Sequence, residues 1–343
     1  MSVFLRYTIG LLLFLLLGIG TYAQKSSCAF KLQEAESLYE TGNLDSIPRM
    51  LRSCINKKEF DQEELSRAYK LLILTYQFQD YQEMAELTMQ KFLKDFPEYE
   101  IKPTDPVEFT YLYSSYKTIP TISLGIIGGL NYSMARIIEP YPIAGKENTY
   151  GKYSTNIKYQ FGIQLKKYIT DEIDLNLDVI YSFQTIDYTI TQLDYTTSYT
   201  ENQNVLSFPL TGTYDFKFMG LDPYVRLGFS VDYLLNATAD FTKVNNMFNT
   251  EDVKESGYDI MDDRNTFNIS GVIGAGIKYN IKMGYLMFDL RYDFSFMNMV
   301  NDEYRYDDIK YGNFGYIDDD FTLNNFYISF GYVYSFYKTK RQK

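Results

Sequence analysis

Histidine and tryptophan are both missing from the 343 residues, and cysteine occurs only twice. Without an imidazole, a Ser/His/Asp hydrolase of the kind found in outer-membrane lipases and acyltransferases cannot be assembled. His-ligated zinc is excluded in the same way, and two thiols are too few for a thiolate zinc site. A paired-carboxylate mechanism is not excluded by these absences. Positive charge is also scarce: 44 acidic against 33 basic residues give a net charge of −11, and no basic patch stands out. Nucleic acid is therefore an improbable partner. Long apolar runs are absent too, and mean hydropathy is −0.27. The one continuous run, Ile9 to Ile19 after Arg6, is shorter than the roughly 18 residues a membrane-spanning helix needs. Followed by Thr21-Tyr22-Ala23, it reads as a signal peptide over 1–23 cleaved before Gln24. Lys25-Ser26-Ser27 before Cys28 lacks the apolar residues of a lipobox.

What the chain has in abundance is aromatic residues in alternation, with 35 Tyr and 25 Phe. From Phe326 to Phe336 one face reads Phe326, Ile328, Phe330, Tyr332, Tyr334, Phe336 and the other Tyr327, Ser329, Gly331, Val333, Ser335. Period-two patterning of this kind predicts strands at 121–132, 158–167, 173–186, 204–218, 223–236, 266–280, 285–298 and 321–337. Each is long enough to cross a bilayer at a tilt, where roughly 9–11 residues suffice. The predicted connections alternate long and short, as expected of external loops and periplasmic turns: 133–157, 187–203, 237–265 and 299–320 against 168–172, 219–222 and 281–284. A soluble β-sandwich also alternates. Against it, the charges here share the face that a small barrel turns inward, while the other face is almost uninterruptedly apolar. Tyr159, Phe218, Tyr233, Phe267, Tyr279 and Phe336 fall on the outward phase near strand ends, as aromatic girdles require.

On the inward phase lie Asp174, Asp178, Asp215, Asp232, Asp289 and Asp293 with Lys166, Lys217, Arg226, Lys278 and Arg291. A turn centred on Gly220-Leu221 would set Asp215 directly across from Arg226, Lys278 would lie diagonal to Asp289, and Lys166 would face Asp174. An eight-stranded barrel is just wide enough for its own side chains, so these charges predict a salt-bridged, closed lumen in preference to a pore or an acid/base site. The loops 237–265 and 299–320 are rich in Asp and Glu. Their spacing matches no calcium-binding loop such as the EF-hand, and solvated acidic loops are the expected state.

The N-terminal third switches to helical periodicity. Leu44, Ile47, Leu51 and Ile55 form one stripe, Leu65, Ala68, Tyr69, Leu72 and Tyr76 the next, then Tyr81, Met84, Ala85, Thr88 and Phe92. Four helices are predicted, with Asp45 and Asp61 as caps and Gly42 at the first turn. Cys28 and Cys54 lie on adjacent predicted helices and form either a disulfide, in the oxidising compartment an exported chain meets, or two buried thiols. Phe96-Pro97 and Lys102-Pro103-Thr104-Asp105-Pro106 end the pattern. Asp105-Pro106 then reads as cap and first-turn proline of a short helix over 107–116, inside a stiff linker.

The junction Tyr39-Glu40-Thr41-Gly42-Asn43-Leu44 is echoed by Tyr76-Gln77-Phe78-Gln79-Asp80-Tyr81. With Ala35, Ala68 and Ala85 at close helix approaches, this resembles the tetratricopeptide repeat, although the 37-residue period is longer than that family's usual one. The whole chain resembles the outer-membrane β-barrel proteins of Bacteroidota, which include the Por-type (PorT) barrels of type IX secretion. That resemblance rests on Tyr22-Ala23-Gln24, Pro103-Thr104-Asp105-Pro106-Val107-Glu108-Phe109, Ile122-Ser123-Leu124-Gly125 and Gly128-Gly129. It implies location and fold, and it carries no catalytic residues.

The expectation is thus an all-β membrane barrel of eight antiparallel, up-and-down strands preceded by a small α-helical, tetratricopeptide-like periplasmic domain. Its parts are a signal peptide (1–23), the helical domain (24–97), a linker with a short helix (98–118), the barrel (119–337) and a basic tail (338–343). The expected role is a non-enzymatic outer-membrane scaffold without cofactor or metal. Lipid surrounds the barrel, and residues 25–117 dock a periplasmic or envelope protein. A small-solute uptake barrel is the alternative, and it needs a wider lumen than eight strands provide.

Overall fold

The alternating and helical patterns resolve into two units in a computed structural model, which describes residues 27–141, 151–192, 194–218, 221–246, 252–305 and 313–342. One unit comprises Met1–Ile119 with Thr339–Lys343, the other Pro120–Lys338. The expected signal peptide lies outside the described residues.

Among the described residues the first unit opens with the four expected helices, α1 (Ser27–Glu40), α2 (Ile47–Lys57), α3 (Gln62–Phe78) and α4 (Gln82–Asp95). Their stripes meet in one core of Leu32, Ala35, Ile47, Leu51, Ala68, Leu72, Ala85 and Phe92. Asp61 caps α3 through a full capping box with Glu64, which satisfies two otherwise orphaned amides. Asp45 does not cap. Ser46 stands at the start of α2 without a side-chain cap bond, and the Asp45 carboxylate accepts from Gln79 Nε2 at 2.9 Å instead.

The two similar junctions are the same turn. Asn43 N–H donates to Leu38 O and Tyr81 N–H to Tyr76 O, each at 2.8 Å, and the preceding residues, Gly42 and Asp80, have φ of 78° and 60°. This is the left-handed helix terminus that favours glycine. Cys28 and Cys54 form a disulfide between α1 and α2, with Cα atoms 5.7 Å apart and 26 residues of separation. Closing a loop of that size is worth about 3 kcal/mol in the chain-entropy model.

The segment expected as a linker is part of this core. Tyr99 and Phe109 pack on Phe92, which also meets Phe96, and Tyr113 packs on Tyr99 and Phe109, with ring centroids 5.0–6.2 Å apart. Helix α5 (Val107–Ser114) begins after Pro106, which is itself the N-cap. Asp105 is therefore not the cap: its carboxylate is taken by Lys70 Nζ (2.5 Å), Tyr99 Oη (2.6 Å) and the Lys102 amide (2.8 Å). The C-terminal residues are not a free tail either. They extend the last strand to Arg341, which pairs with Glu86 at 3.0 Å, while the Gln342 amide bonds Ser115 O.

In the second unit eight antiparallel strands close on themselves: β1 (Tyr116–Glu139), β3 (Lys158–Tyr168), β4 (Ile173–Thr191), β5 (Tyr195–Asp215), β6 (Leu221–Asn245), β8 (Phe267–Ile281), β9 (Gly284–Ser295) and β10 (Asp320–Arg341). Two short strands attach outside this ring, β2 (Lys152–Ser154) on β4 and β7 (Val253–Asp259) on β6. The expected strand count holds for the ring, but several strands run past their expected ends. In particular β4 and β5 stay paired to Thr191↔Thr196, so the expected long connection 187–203 is a tight hairpin. Alternation continues there with its polarity reversed, Ile186, Tyr188 and Ile190 taking the buried phase, so the segment lacks the apolar outward face of a lipid-crossing strand.

Candidate functional site

Strand β4 shows the reversal most plainly. Its outward residues run Ile173, Leu175, Leu177, Val179, Tyr181, Phe183 and then change to Thr185, Asp187, Thr189, Thr191. The buried phase runs Asp174, Asn176, Asp178, Ile180, Ser182 and Gln184, mostly polar with Ile180 in a small cluster beside Ile127, Tyr285, Met287 and Val333, then Ile186, Tyr188 and Ile190. The wall is thus apolar outside and polar inside below Phe183, and polar outside and apolar inside above it. The eleven residues from Ile173 to Phe183, six of them outward and apolar, at a strand rise of about 3.3 Å and a tilt of about 40°, make a belt roughly 25 Å tall, the height of a barrel's lipid face. All six expected girdle aromatics are exposed on the outside, Tyr233 stacking across strands on Phe267 with ring centroids 5.0 Å apart.

Below the reversal the lumen is filled by charge. Lys166 Nζ lies 2.9 Å from Asp174, and Lys278 bridges Asp174 (3.2 Å) and Asp215. Arg226 reaches Asp178 and Asp289, each at 3.4 Å, while Tyr224 Oη donates to Asp289 at 2.6 Å. Arg291 and Asp293 lie 3.1 Å apart. Most of the expected inward charges therefore meet in this network: Lys166 pairs with Asp174 as expected, while Asp215, Arg226 and Lys278 take other partners. The β5–β6 hairpin is registered one residue earlier than a turn on Gly220-Leu221 requires. Arg226 therefore faces Thr213, and Asp215 faces Tyr224. Lys278 does sit diagonal to Asp289 in the ladder, since Gly276 faces Asp289, but its ammonium points to Asp174 and Asp215. Lys217 is exposed beyond the end of β5 and does not enter the lumen.

Above the reversal lies a site that loop assignment hid. Arg264 is fully buried, with Nε and Nη2 on the two Glu201 oxygens (2.8 and 2.7 Å), Nη2 also on Asp318 (2.9 Å), and Tyr199 Oη accepting at 2.8 Å. Burial opposes charge on Arg264, but the Asp318 and Glu201 carboxylates outweigh it and hold the guanidinium well above its ordinary range. Around it Tyr199 stacks on Tyr316 and Phe241 on Phe314, forming a core with Ile190, Ala237, Ala239 and Ile260. Residues 313–319 of the last loop thus fill the interior at this end. Asp318 and Asp263 are 2% and 6% exposed, so the expectation that these acidic loops are wholly solvated is wrong at both residues. The nearby Asp319 is pushed up by burial, against bonds from the Tyr141 amide and Tyr153 Oη.

Between the two zones, Gln184, Asp232, Asn265, Asn268, Met299 and Asn325 enclose about 20 Å³, room for about one water.

Residues 117–301, more than half of the chain, match the family described as outer membrane protein beta-barrel domain. The chain belongs to that family. As a member of the outer membrane protein beta-barrel domain family it is placed in the outer membrane, and the belt below Phe183 is its lipid face. No curated protein matches the chain. Similar solved structures include Neisserial surface protein A, 12% identical over 63% of this chain and 97% of its own with a TM-score of 0.34. OmpT, an outer membrane protease of Escherichia coli, is 10% identical over 64% and 98% with a score of 0.30. OprG of Pseudomonas aeruginosa is 11% identical over 63% and 97% with a score of 0.28.

Proposed function

We propose that this barrel is a closed outer-membrane scaffold, with its reversed-polarity end outside the cell and its helical unit in the periplasm, where that unit docks a protein of secretion or envelope assembly. The observation that carries the closed reading is the interior itself: ion pairs fill it at membrane level and a second core fills it above, with room for about one water between them. The lumen charges Asp174, Asp178, Asp215, Arg226, Lys278, Asp289, Arg291 and Asp293 then serve packing and not catalysis, each sign held beside the other. Planar-bilayer recording tests this, with no steady single-channel conductance expected.

The docking reading draws on apolar side chains that the helical unit leaves in water, chiefly Phe30, Phe78, Tyr81, Val107 and Tyr111. A tetratricopeptide-like pair of helical hairpins commonly needs neighbours to cover such surface. Cross-linking in intact envelopes, compared between the wild type and a Phe78→Glu/Tyr111→Glu variant, tests it. A partner captured equally by both sinks the docking surface.

A further inference from the structure

The charges inside the barrel balance in one layer and not in the next. Towards the β3–β4 turn, Asp174 and Asp215 meet Lys166 and Lys278, two acids against two bases. Further up, the described inward residues Asp178, Asp232, Asp289 and Asp293 have only Arg226 and Arg291 as buried cations. Four carboxylates against two guanidiniums leave two negative charges in excess at the height of the lipid belt. Lys158, at the start of β3, is half-buried and forms no ion pair among the described residues. Buried charge without a counter-charge is costly, so compensating positive charge belongs in this layer.

The excess falls on Asp232 and Asp293. Asp232 accepts from Ser230 Oγ (2.8 Å), Asn268 Nδ2 (3.0 Å) and Ser270 Oγ (3.4 Å), and pairs with no cation among the described residues. Arg291 Nε lies 3.1 Å from Asp293 Oδ1 without hydrogen-bonding geometry, and at 2% exposure neither Asp293 oxygen has a donor. The two carboxylates are near enough for their charges to oppose one another. Asp232 lines the small cavity described above with Asn268 and Asn325, and Asp293 is the direct cross-strand partner of Asn325 on the same face. Gln184 and Asn265 line it too. Gln184 commits its amide nitrogen to Ser182 Oγ, and Asn265 commits its own to Asn298 O and Val300 O, so each keeps an amide oxygen without a donor.

We infer that Asp232 and Asp293 hold a calcium ion here, in a cavity of about 20 Å³ with amide oxygens around it. The free donors are carboxylate and amide oxygens, the chain has no histidine and its two cysteines lie in the helical unit, a set that selects a hard cation. One dication cancels the whole excess, where a monovalent ion leaves half of it. Magnesium keeps several waters in strict octahedral order, and a space for about one water has no place for them. Calcium accepts irregular sets of carboxylate and amide oxygens. The ion ties β6 to β9 and β10 at the height where the wall reverses its polarity.

This inference needs neither the orientation nor the docking proposed above. The full-length protein is extracted in detergent and dialysed against calcium, magnesium or sodium chloride at equal ionic strength, or against EGTA, and its metal content and thermal midpoint are measured. One calcium per chain is expected, with a midpoint about 5 °C above that in EGTA or sodium. Asp232→Asn/Asp293→Asn should lose both the calcium and the shift while melting in EGTA no lower than the wild type, because it no longer buries the excess charge. The milder Asp293→Asn alone should weaken calcium binding at least tenfold. Asp252→Asn/Asp302→Asn/Glu303→Gln, which removes exposed loop acids, should keep calcium and shift alike. No bound calcium, binding that survives in Asp232→Asn/Asp293→Asn, or the same gain from sodium or magnesium overturns the assignment. The first result makes protons the counter-charge, and the second puts the ion on the loops. Conductance in the bilayer recording would undo the closed reading without touching the metal count.

Discussion

Along β4, β5 and β6 the same continuous wall encloses two interiors built on opposite principles. At membrane level lipid takes the apolar face, so the inside is left with Asp, Lys and Arg that pair with one another. Above Phe183 water and headgroups take the outside, so the inside becomes an apolar core around the buried cation Arg264. The difference teaches that the inside of a small barrel is decided by what its outside touches: alternation fixes that the two faces differ, and the solvent decides which is which. A β-bulge near Asn204–Val205, opposite Leu234–Asn236, marks the change. There the buried phase of β6 moves from Asp232 and Leu234 to Ala237, Ala239 and Phe241, so the wall re-aims its side chains where its surroundings change.

The two ways of burying charge should fail differently. Arg264→Ala takes from the buried Glu201 carboxylate the cation that grips both its oxygens and from Asp318 one of its charge partners, and should cost about 3–5 kcal/mol in urea unfolding of the full-length barrel. The triple change Arg264→Met/Glu201→Gln/Asp318→Asn removes every charge together and should recover most of that loss; recovery of none would mean that Arg264 acts through something other than charge pairing.

In the lumen, Lys278→Met leaves Asp174 its second cation, Lys166, and strands only Asp215, so the loss should be nearer 2 kcal/mol by the same assay. A cost equal to that of Arg264→Ala would erase the distinction between shared and single pairing.

The helical unit supplies a third case, closer to solvent. Burial pushes Asp105 towards its neutral form, but hydrogen bonds from Lys70, Tyr99 and the Lys102 amide outweigh this and hold its carboxyl below the usual value of 3.8. Because the folded value is depressed, this stabilisation is complete above that pH and disappears as pH falls through the folded value. Asp105→Asn should therefore cost about 1 kcal/mol at pH 7 and progressively less below pH of about 4, followed by circular dichroism of the full-length protein. A gap that stays constant with pH would show that charge is not the reason.

The smallest expected effect is a gain. Asp80 holds φ of 60° where the matching turn has Gly42, so Asp80→Gly should raise stability by about 0.5–1 kcal/mol in thermal unfolding.

Much of this was legible in the residues. The eight-strand ring, the inward set of charges and the helical stripes follow from period two and period 3.6, which local chain geometry imposes. Lys166 and Asp174 could be matched because the tight turn at 169–172 leaves little freedom of register. Arg226 and Asp215 could not be matched correctly, because a turn displaced by one residue moves every cross-strand pair by two.

Arg264, Glu201 and Asp318 carried no local signal at all. They lie 63 and 54 residues apart along the chain, Glu201 on a strand whose alternation is reversed and Arg264 and Asp318 in irregular loops, where no period marks a residue as buried. Asp105 misled for a related reason: its place before Pro106 fits a cap, while the cation and phenol that claim it come from Lys70 and Tyr99.

By itself, then, the sequence determined which side chains share a face, since the pleat of a strand and the turn of a helix are local. Only the tertiary structure decided which face is inside at each height, and which cation answers which carboxylate. Both depend on surroundings and on closure of the ring, and neither is written in any neighbouring residue.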